Sequence, residues 1–166
     1  MRPISLSTVV NCLEEALGPA VIVGQDVQAS PPAIQVLAER IAEVCQVLHA
    51  HETTYLDYLA CITAIDNGPA AATMEVIYNL YSIPYDASLM IKVMIPRTEE
   101  PLPTVPTVST IWQAARWHER EAYDLVGIQF AGHPDLRRIL LPADWQGHPL
   151  RQDYQPPAQY HGIDTN

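Results

Sequence analysis

The sequence predicts an α+β fold: a mixed or antiparallel sheet with helices packed against it, followed by a proline-rich irregular C-terminal segment. Three observations carry this. Apolar residues recur at helical spacing in the first 50 residues and again before Val126. Runs of period two gather between residues 55 and 96 instead of alternating with helices, which disfavours a doubly wound sheet. Fifteen prolines in 166 residues, about 9% against a usual ~5%, interrupt what lies beyond. A single domain is expected over residues 1–154, with an extended tail over 155–166.

Leu6, Val9, Val10, Leu13 and Leu17 mark a first helix, ended by Gly18-Pro19. Residues 20–27 are short and partly β-branched, as in a strand. Ser30-Pro31 reads as an N-cap and first turn, followed by one apolar face of Ile34, Leu37, Ile41, Val44, Cys45 and Leu48. Residues 55–65 predict a strand and Asp66-Asn67-Gly68-Pro69 a turn. Met74, Val76, Tyr78 and Leu80 alternate with mostly polar neighbours, and Leu89, Ile91, Val93 and Ile95 alternate again, so a hairpin or meander fills this region. Pro96, Pro101, Pro103 and Pro106 make an extended connector. Ser109 or Thr110 is placed to cap a helix reaching Val126, with Gly127 at its C-terminal end and Ile128 and Phe130 in a short strand.

Composition excludes several functions. Nine basic against nineteen acidic residues give a net charge of −10, the wrong sign for binding phosphate backbones or anionic membranes. The longest uncharged run, residues 101–115, holds three prolines and is too short to span a bilayer, which takes about 20 apolar residues. Glu14 and Glu15 interrupt the N-terminal apolar stretch, so no secretory signal is expected. Cys12, Cys45 and Cys61 stand far apart with no C-x-x-C pair, which argues against zinc ribbons and cysteine-held iron–sulfur clusters and suits a reducing compartment. There is no G-x-S-x-G elbow, no phosphate loop and no dinucleotide fingerprint. Eight of the nine basic residues are arginine and only Lys92 is lysine, a bias toward cations that sit partly desolvated against carboxylates.

The informative stretch is residues 116–153. It holds five of the nine basic residues (Arg116, Arg120, Arg137, Arg138, Arg151) and six acids (Glu119, Glu121, Asp124, Asp135, Asp144, Asp153). Arg120 and Asp124 are spaced i,i+4, and Arg116 and Glu119 i,i+3, as for ion pairs on one helix. Three readings stand side by side. The plain one is a solvated helix face laced with weak ion pairs. A second is a metal-dependent hydrolase in which His118, Glu121 and Asp124 ligate from one face, although Arg116 and Arg120 would compete for the same carboxylates. The third is a protein–protein interface, favoured because Trp117 and Trp145, with Tyr123 and Phe130, share the stretch with the arginines and the remaining tryptophan, Trp112, lies just before it.

The residues from Trp117 to Asp124 (Trp-His-Glu-Arg-Glu-Ala-Tyr-Asp), then Gly127-Ile128, Phe130, Gly132-His133-Pro134-Asp135-Leu136-Arg137-Arg138-Ile139-Leu140 and Pro149-Leu150-Arg151, resemble the signature of the C subunit, the 30-kDa type, of respiratory NADH–quinone oxidoreductase, complex I. The J subunit of the related plastid and cyanobacterial complex is similar. Residues 62–66, the two alternating strands and Pro106-Thr107-Val108 match more loosely. One departure is Gln152, where the family usually has lysine before Asp153-Tyr154. The resemblance implies the unfused form of the subunit, hydrophilic and non-catalytic, in the peripheral arm of a proton-translocating complex. It implies docking chiefly on the D (49-kDa-type) subunit near the quinone-reducing module, with no nucleic acid and no membrane insertion. The location would be peripheral, at the cytoplasmic face of a bacterial inner membrane or the equivalent thylakoid face. No cofactor is expected in this chain; iron–sulfur clusters, FMN and quinone would sit in partner subunits. Glu119, Arg120, Glu121 and Asp124 are expected to order the helix end and clamp the following loop, with Arg137, Arg138 and Arg151 bonding within that loop or to a partner.

Overall fold

Leu6, Val9, Cys12 and Leu13 line the buried face of α1 (Leu6–Leu17), and Gly18, at φ +85°, ends it. This is the helix that the apolar spacing predicts. The computed structural model describes residues 2–164. Around α1 it gives β1 (Arg2–Pro3), β2 (Ile22–Asp26), β3 (Ala33–Val36), α2 (Ile41–Ala50), β4 (Tyr58–Asp66), a single-turn α3 (Gly68–Ala71), β5 (Thr73–Ser82), β6 (Ala87–Pro96), β7 (Thr104–Pro106), α4 (Ala115–Val126), β8 (Gln129–Ala131), and the two-residue β9 (Gln159–Tyr160) and β10 (Ile163–Asp164).

The main sheet runs β2-β3-β6-β5-β4, with β1 added beside β6. β3 and β6 pair in parallel and the other neighbours on this path antiparallel, so the sheet is mixed and the fold is α+β. β4, β5 and β6 form the expected meander. β5 alternates throughout: Met74, Val76, Tyr78, Leu80 and Ser82 are buried, whereas Thr73, Glu75, Ile77, Asn79 and Tyr81 are half-exposed. Period-two burial of this kind means one sheet face is packed. That inner face, continued by Leu89, Ile91, Val93 and Ile95, shares one apolar core with α1 and with Ile41, Val44, Cys45 and Leu48 of α2.

Two predicted boundaries move. The expected helix starting at Ser30-Pro31 begins at Ile41, after a 3-10 turn over Ala38–Arg40. Ala33–Val36 is instead a strand, hydrogen-bonded to β2 on one side and β6 on the other. Ile34 fits a helical period with Leu37 and Ile41. It equally alternates with Gln35 and Val36, and two available strand partners decide the matter. The last long helix begins at Ala115, and neither Ser109 nor Thr110 caps it. Ser109 is buried, with its hydroxyl 2.8 Å from that of Thr107.

α4 packs against edge strand β4 and is bracketed by β7 and β8, which pair in parallel with Val105 opposite Phe130. This strand–helix–strand unit lays the Thr107–Ser109 bend along α4 and sends the chain after Gly132 back across the end of the helix.

Candidate functional site

α4 sorts its charges by face. Ala115, Glu119, Ala122 and Val126 recur at helical spacing and are buried; Arg116, Trp117 and Glu121 are exposed. Glu119 therefore lies on the apolar stripe and points into the protein. Its carboxylate accepts hydrogen bonds from the Thr107 hydroxyl and, at 2.8 Å, from the Val108 amide. Burial pushes this carboxyl up to about 7, against the pull of those two donors. His133 Nε2 stands 4.0 Å from Glu119. The same nitrogen is 3.1 Å from the Arg116 carbonyl, while Nδ1 accepts the Asp135 amide at 3.0 Å. That pattern assigns the neutral tautomer with the proton on Nε2, so His133 is a brace between helix and loop and not the cation of an ion pair.

Asp124 is the second buried acid. One oxygen accepts the backbone amides of Ile139, Leu140 and Leu141 at 2.8–2.9 Å, and the other takes Arg138 Nη1 at 2.7 Å. Burial alone would raise this carboxyl; the amides of Leu141 and Ile139, the Arg138 guanidinium and the Leu140 amide outweigh it and hold the group below its ordinary value.

The same loop closes the C-terminal end of α4. A helix leaves its last carbonyls without intrahelical partners. Here Gly127, at φ +80°, donates to the carbonyls of Ala122 and Tyr123, both at 3.1 Å. The Asp124 carbonyl lies 3.2 Å from Arg138 Nη1 and 3.0 Å from His148 Nδ1. The Leu125 carbonyl takes the Leu150 amide at 2.9 Å, and that of Val126 takes Arg151 Nε at 2.9 Å. Arg120 donates outward to the carbonyls of Arg137 and Arg138, each at 3.0 Å. Guanidinium groups at this end also meet the negative pole of the helix dipole. Burial, with the nearby charges of Arg151 and Arg138, keeps His148 below its ordinary value despite the bond to Asp124, so its ring is neutral near pH 7.

A third buried acid ties the far end of the segment to the sheet. Asp66, at the end of β4, takes Arg97 Nε at 2.8 Å, the Gly68 amide at 3.1 Å and the Gln152 amide at 2.9 Å. These bonds overcome burial and leave the carboxyl below its usual range. Arg97 also pairs with Asp153. Gln152 Nε2 donates to the Asp66 carbonyl at 2.9 Å, so the residue that departs from the family pattern is integrated into the same junction.

The predicted positions divide as follows. Glu119, Arg120, Asp124, Gly127, His133, Arg138, Arg151 and Asp153 are brought into these internal contacts. Trp117, Glu121, Pro134, Asp135 and Arg137 face solvent, with Arg137 and Asp135 paired at 3.1 Å. Tyr123 is half-buried. The two helical pairs suggested by spacing do not form: Asp124 pairs with Arg138 and not Arg120, and Glu119 turns away from Arg116. The metal reading fails on geometry, because Asp124 is buried with both oxygens engaged while Glu121 lies outside. Among the described residues no three His, Cys, Asp or Glu side chains are grouped to hold an ion. Sequence reasoning missed Asp66, Arg97, Thr107, His148 and Gln152 as site residues. Only the position of Glu119 on the Ala115–Ala122–Val126 stripe carried a local signal of burial.

Residues 34–160 match the family model described as respiratory-chain NADH dehydrogenase, 30 Kd subunit. The C subunit of NADH-quinone oxidoreductase from Chloroherpeton thalassium is 45% identical over 113 residues, which cover 68% of this chain and 45% of that one. The C subunit of the same enzyme from Chlorobium phaeobacteroides is 38% identical over 140 residues, covering 83% and 82% respectively. The chain thus spans less than half the length of the first relative and most of the second. In three dimensions it is similar to a chain of an archaeal respiratory membrane complex, the membrane-bound sulfane sulfur reductase, with a TM-score of 0.73 at 24% identity over 90% of this chain and 85% of the other, a likeness of fold. The buried acids and arginines of α4 and its loop are the same residues that carried the sequence resemblance, and the chain belongs to the family of the 30-kDa subunit of respiratory-chain NADH dehydrogenase.

Proposed function

We propose that this chain is a non-catalytic assembly subunit in the peripheral arm of a proton-translocating NADH–quinone oxidoreductase. It docks chiefly on the D (49-kDa-type) subunit near the quinone-reducing module, on the cytoplasmic face of the membrane or the equivalent thylakoid face. In this reading the iron–sulfur clusters, FMN and quinone belong to partner subunits and the chain alone is inactive.

The observation that carries the proposal is the engagement of Asp124: three amides share one oxygen of a fully buried carboxylate and a guanidinium holds the other, so both oxygens serve the loop. The chain's charges hold its own C-terminal segment in shape, as befits a scaffold. Burial also pushes the Cys45 thiol far up, away from nucleophilic thiolate chemistry. No helix among the described residues is long and apolar enough to cross a membrane, which suits a peripheral position.

The test is native-gel analysis of membranes carrying Arg138→Ala or Glu121→Ala. Arg138→Ala strands the buried Asp124 carboxylate, and Glu121→Ala removes an exposed acid that a partner would cover. Removing one partner of a desolvated charge pair costs about 2–5 kcal/mol. The expected result is loss of assembled complex, with turnover falling in proportion. Intact complex with dead turnover would overturn the reading.

A further inference from the structure

The outer side of α4 carries two cations, Arg116 and Arg120, neither of which is paired with a carboxylate, beside a single exposed acid, Glu121. Arg116 and Arg120 lie one helical turn apart, a spacing at which like charges repel. Arg120 gives two of its five N–H donors to backbone carbonyls, which leaves its charge uncancelled and donors free. Among the arginines whose side chains are described, Arg116 alone has a guanidinium with neither a hydrogen bond nor an ion pair. The acid that lines the same recess, Asp135, turns to Arg137. In a chain of net charge −10 this is a local excess of positive charge.

The cations flank an aromatic surface. Trp117 is 61% exposed, whereas Trp112 is 5% exposed, and the Arg120 guanidinium carbon lies 5.4 Å from the Trp117 ring centroid. A recess of about 320 Å³ separates these side chains from His133, Pro134 and Asp135. The recess is preorganised: neutral His133 fastens its far wall to the Arg116 carbonyl, so little ordering remains to be done on binding.

We propose that the Arg116–Trp117–Arg120 face docks an acidic segment of a neighbouring subunit, with a carboxylate between the two guanidinium groups and an apolar part against the indole. The proposal rests on the reading of the chain as a subunit of a complex. Charge complementarity selects the occupant. A symmetric contact with a second copy of this chain would set the same cations against each other. Two guanidinium groups beside one indole match a short carboxylate-bearing segment, not the extended polyanion of a nucleic acid or an anionic lipid surface, which the net charge of −10 repels over a wide area. Trp and Arg in a recess with a fixed wall are the residue types that dominate interface energetics.

The experiment keeps the whole complex in its own membrane. Trp117→p-benzoylphenylalanine places a photo-crosslinker on the patch, and irradiation followed by peptide mass analysis identifies what it touches. The expected adduct is with one other subunit of the complex, at a peptide of net negative charge. Arg116→Glu lowers its yield about ten-fold or more, and reversing an acid in the captured peptide restores it. Arg40→Glu, an equal change of net charge at a residue paired only with Glu43, leaves the yield unchanged. An adduct with lipid, with a neutral or basic peptide, or with nothing while the chain still migrates in the complex overturns the proposal; so does an equal effect of Arg40→Glu. If the chain is absent from any complex on native gels, the reading under Proposed function falls, and the adduct still reports independently whether an acidic polypeptide meets the patch.

Discussion

Glu119→Gln should abolish a pH dependence of stability that the wild-type chain carries through the neutral range. The ordinary glutamate value is 4.5 and burial takes Glu119 to about 7, a difference worth about 3 kcal/mol at ~1.4 kcal/mol per pH unit. The sign follows from proton counting. Below 4.5 both folded and unfolded chains hold the proton, and the contribution is fully present. As the pH rises toward 7 the unfolded chain releases the proton while the folded chain keeps it, so stability falls; above 7 the contribution is lost. Glutamine mimics the protonated form. Its amide donates to the Thr107 hydroxyl, which then donates to Ser109, and its carbonyl accepts the Val108 amide. Urea unfolding followed by circular dichroism across this range gives the comparison. The variant matches wild type near the acid end and exceeds it by up to about 3 kcal/mol near the alkaline end. Parallel stability curves for the two proteins would refute both the burial argument and the assignment of Glu119 to the interior.

Gly127→Ala destabilises by about 3 kcal/mol or more, since a Cβ at φ +80° would come within 2.5 Å of His148 and 2.9 Å of Arg151; a melting temperature unchanged from wild type contradicts this. Asp124→Asn puts an amide donor among amide donors and strands Arg138, costing about 3–5 kcal/mol at neutral pH. Because the Asp124 carboxyl is held below its ordinary 3.8, its contribution is present above that value and vanishes as pH falls through the lower folded value, so the gap between variant and wild type closes in acid. Tyr78→Phe removes a buried hydroxyl with no hydrogen-bond partner among the described residues and stabilises by about 1 kcal/mol, read from the same urea curves. A loss of stability would reveal a partner for that hydroxyl.

The meander was legible because β5 and β6 alternate along their shared core face, and a one-residue slip would expose every core side chain. α1 was legible from its stripe and its terminal glycine. What escaped was decided by partners distant in sequence. Ala33–Val36 joined the sheet because β2 and β6 offered ladders on both sides. Asp124 lies off the apolar stripe of α4 and is buried by residues 138–141, which no helical period reveals. Asp66 looked like the first residue of a turn, and it does bond the Gly68 amide, but its main partners are 31 and 86 residues away. Charged motifs announced that something was paired; they did not announce with what.

The arginine excess gains a physical account from these contacts. Arg120 reaches two successive carbonyls, Arg151 reaches those of Thr98, Val126 and Gly127, and Arg138 spans the Asp124 carboxylate, its carbonyl and that of Gly147. Each task needs several donors set in a fixed plane, which a guanidinium has and an ammonium lacks. A segment interrupted by prolines at 134, 142 and 149 cannot satisfy its backbone through long helices or strands. It borrows order from the end of α4, where unpaired carbonyls and a buried acid are concentrated. Four of the eight arginines (Arg97, Arg120, Arg138 and Arg151) are therefore committed inside the chain, and the composition that suggested an interface is largely internal. What remains for a neighbour is the smaller set on the outer side of α4, where Arg116 and Trp117 stand exposed because the core has no use for them.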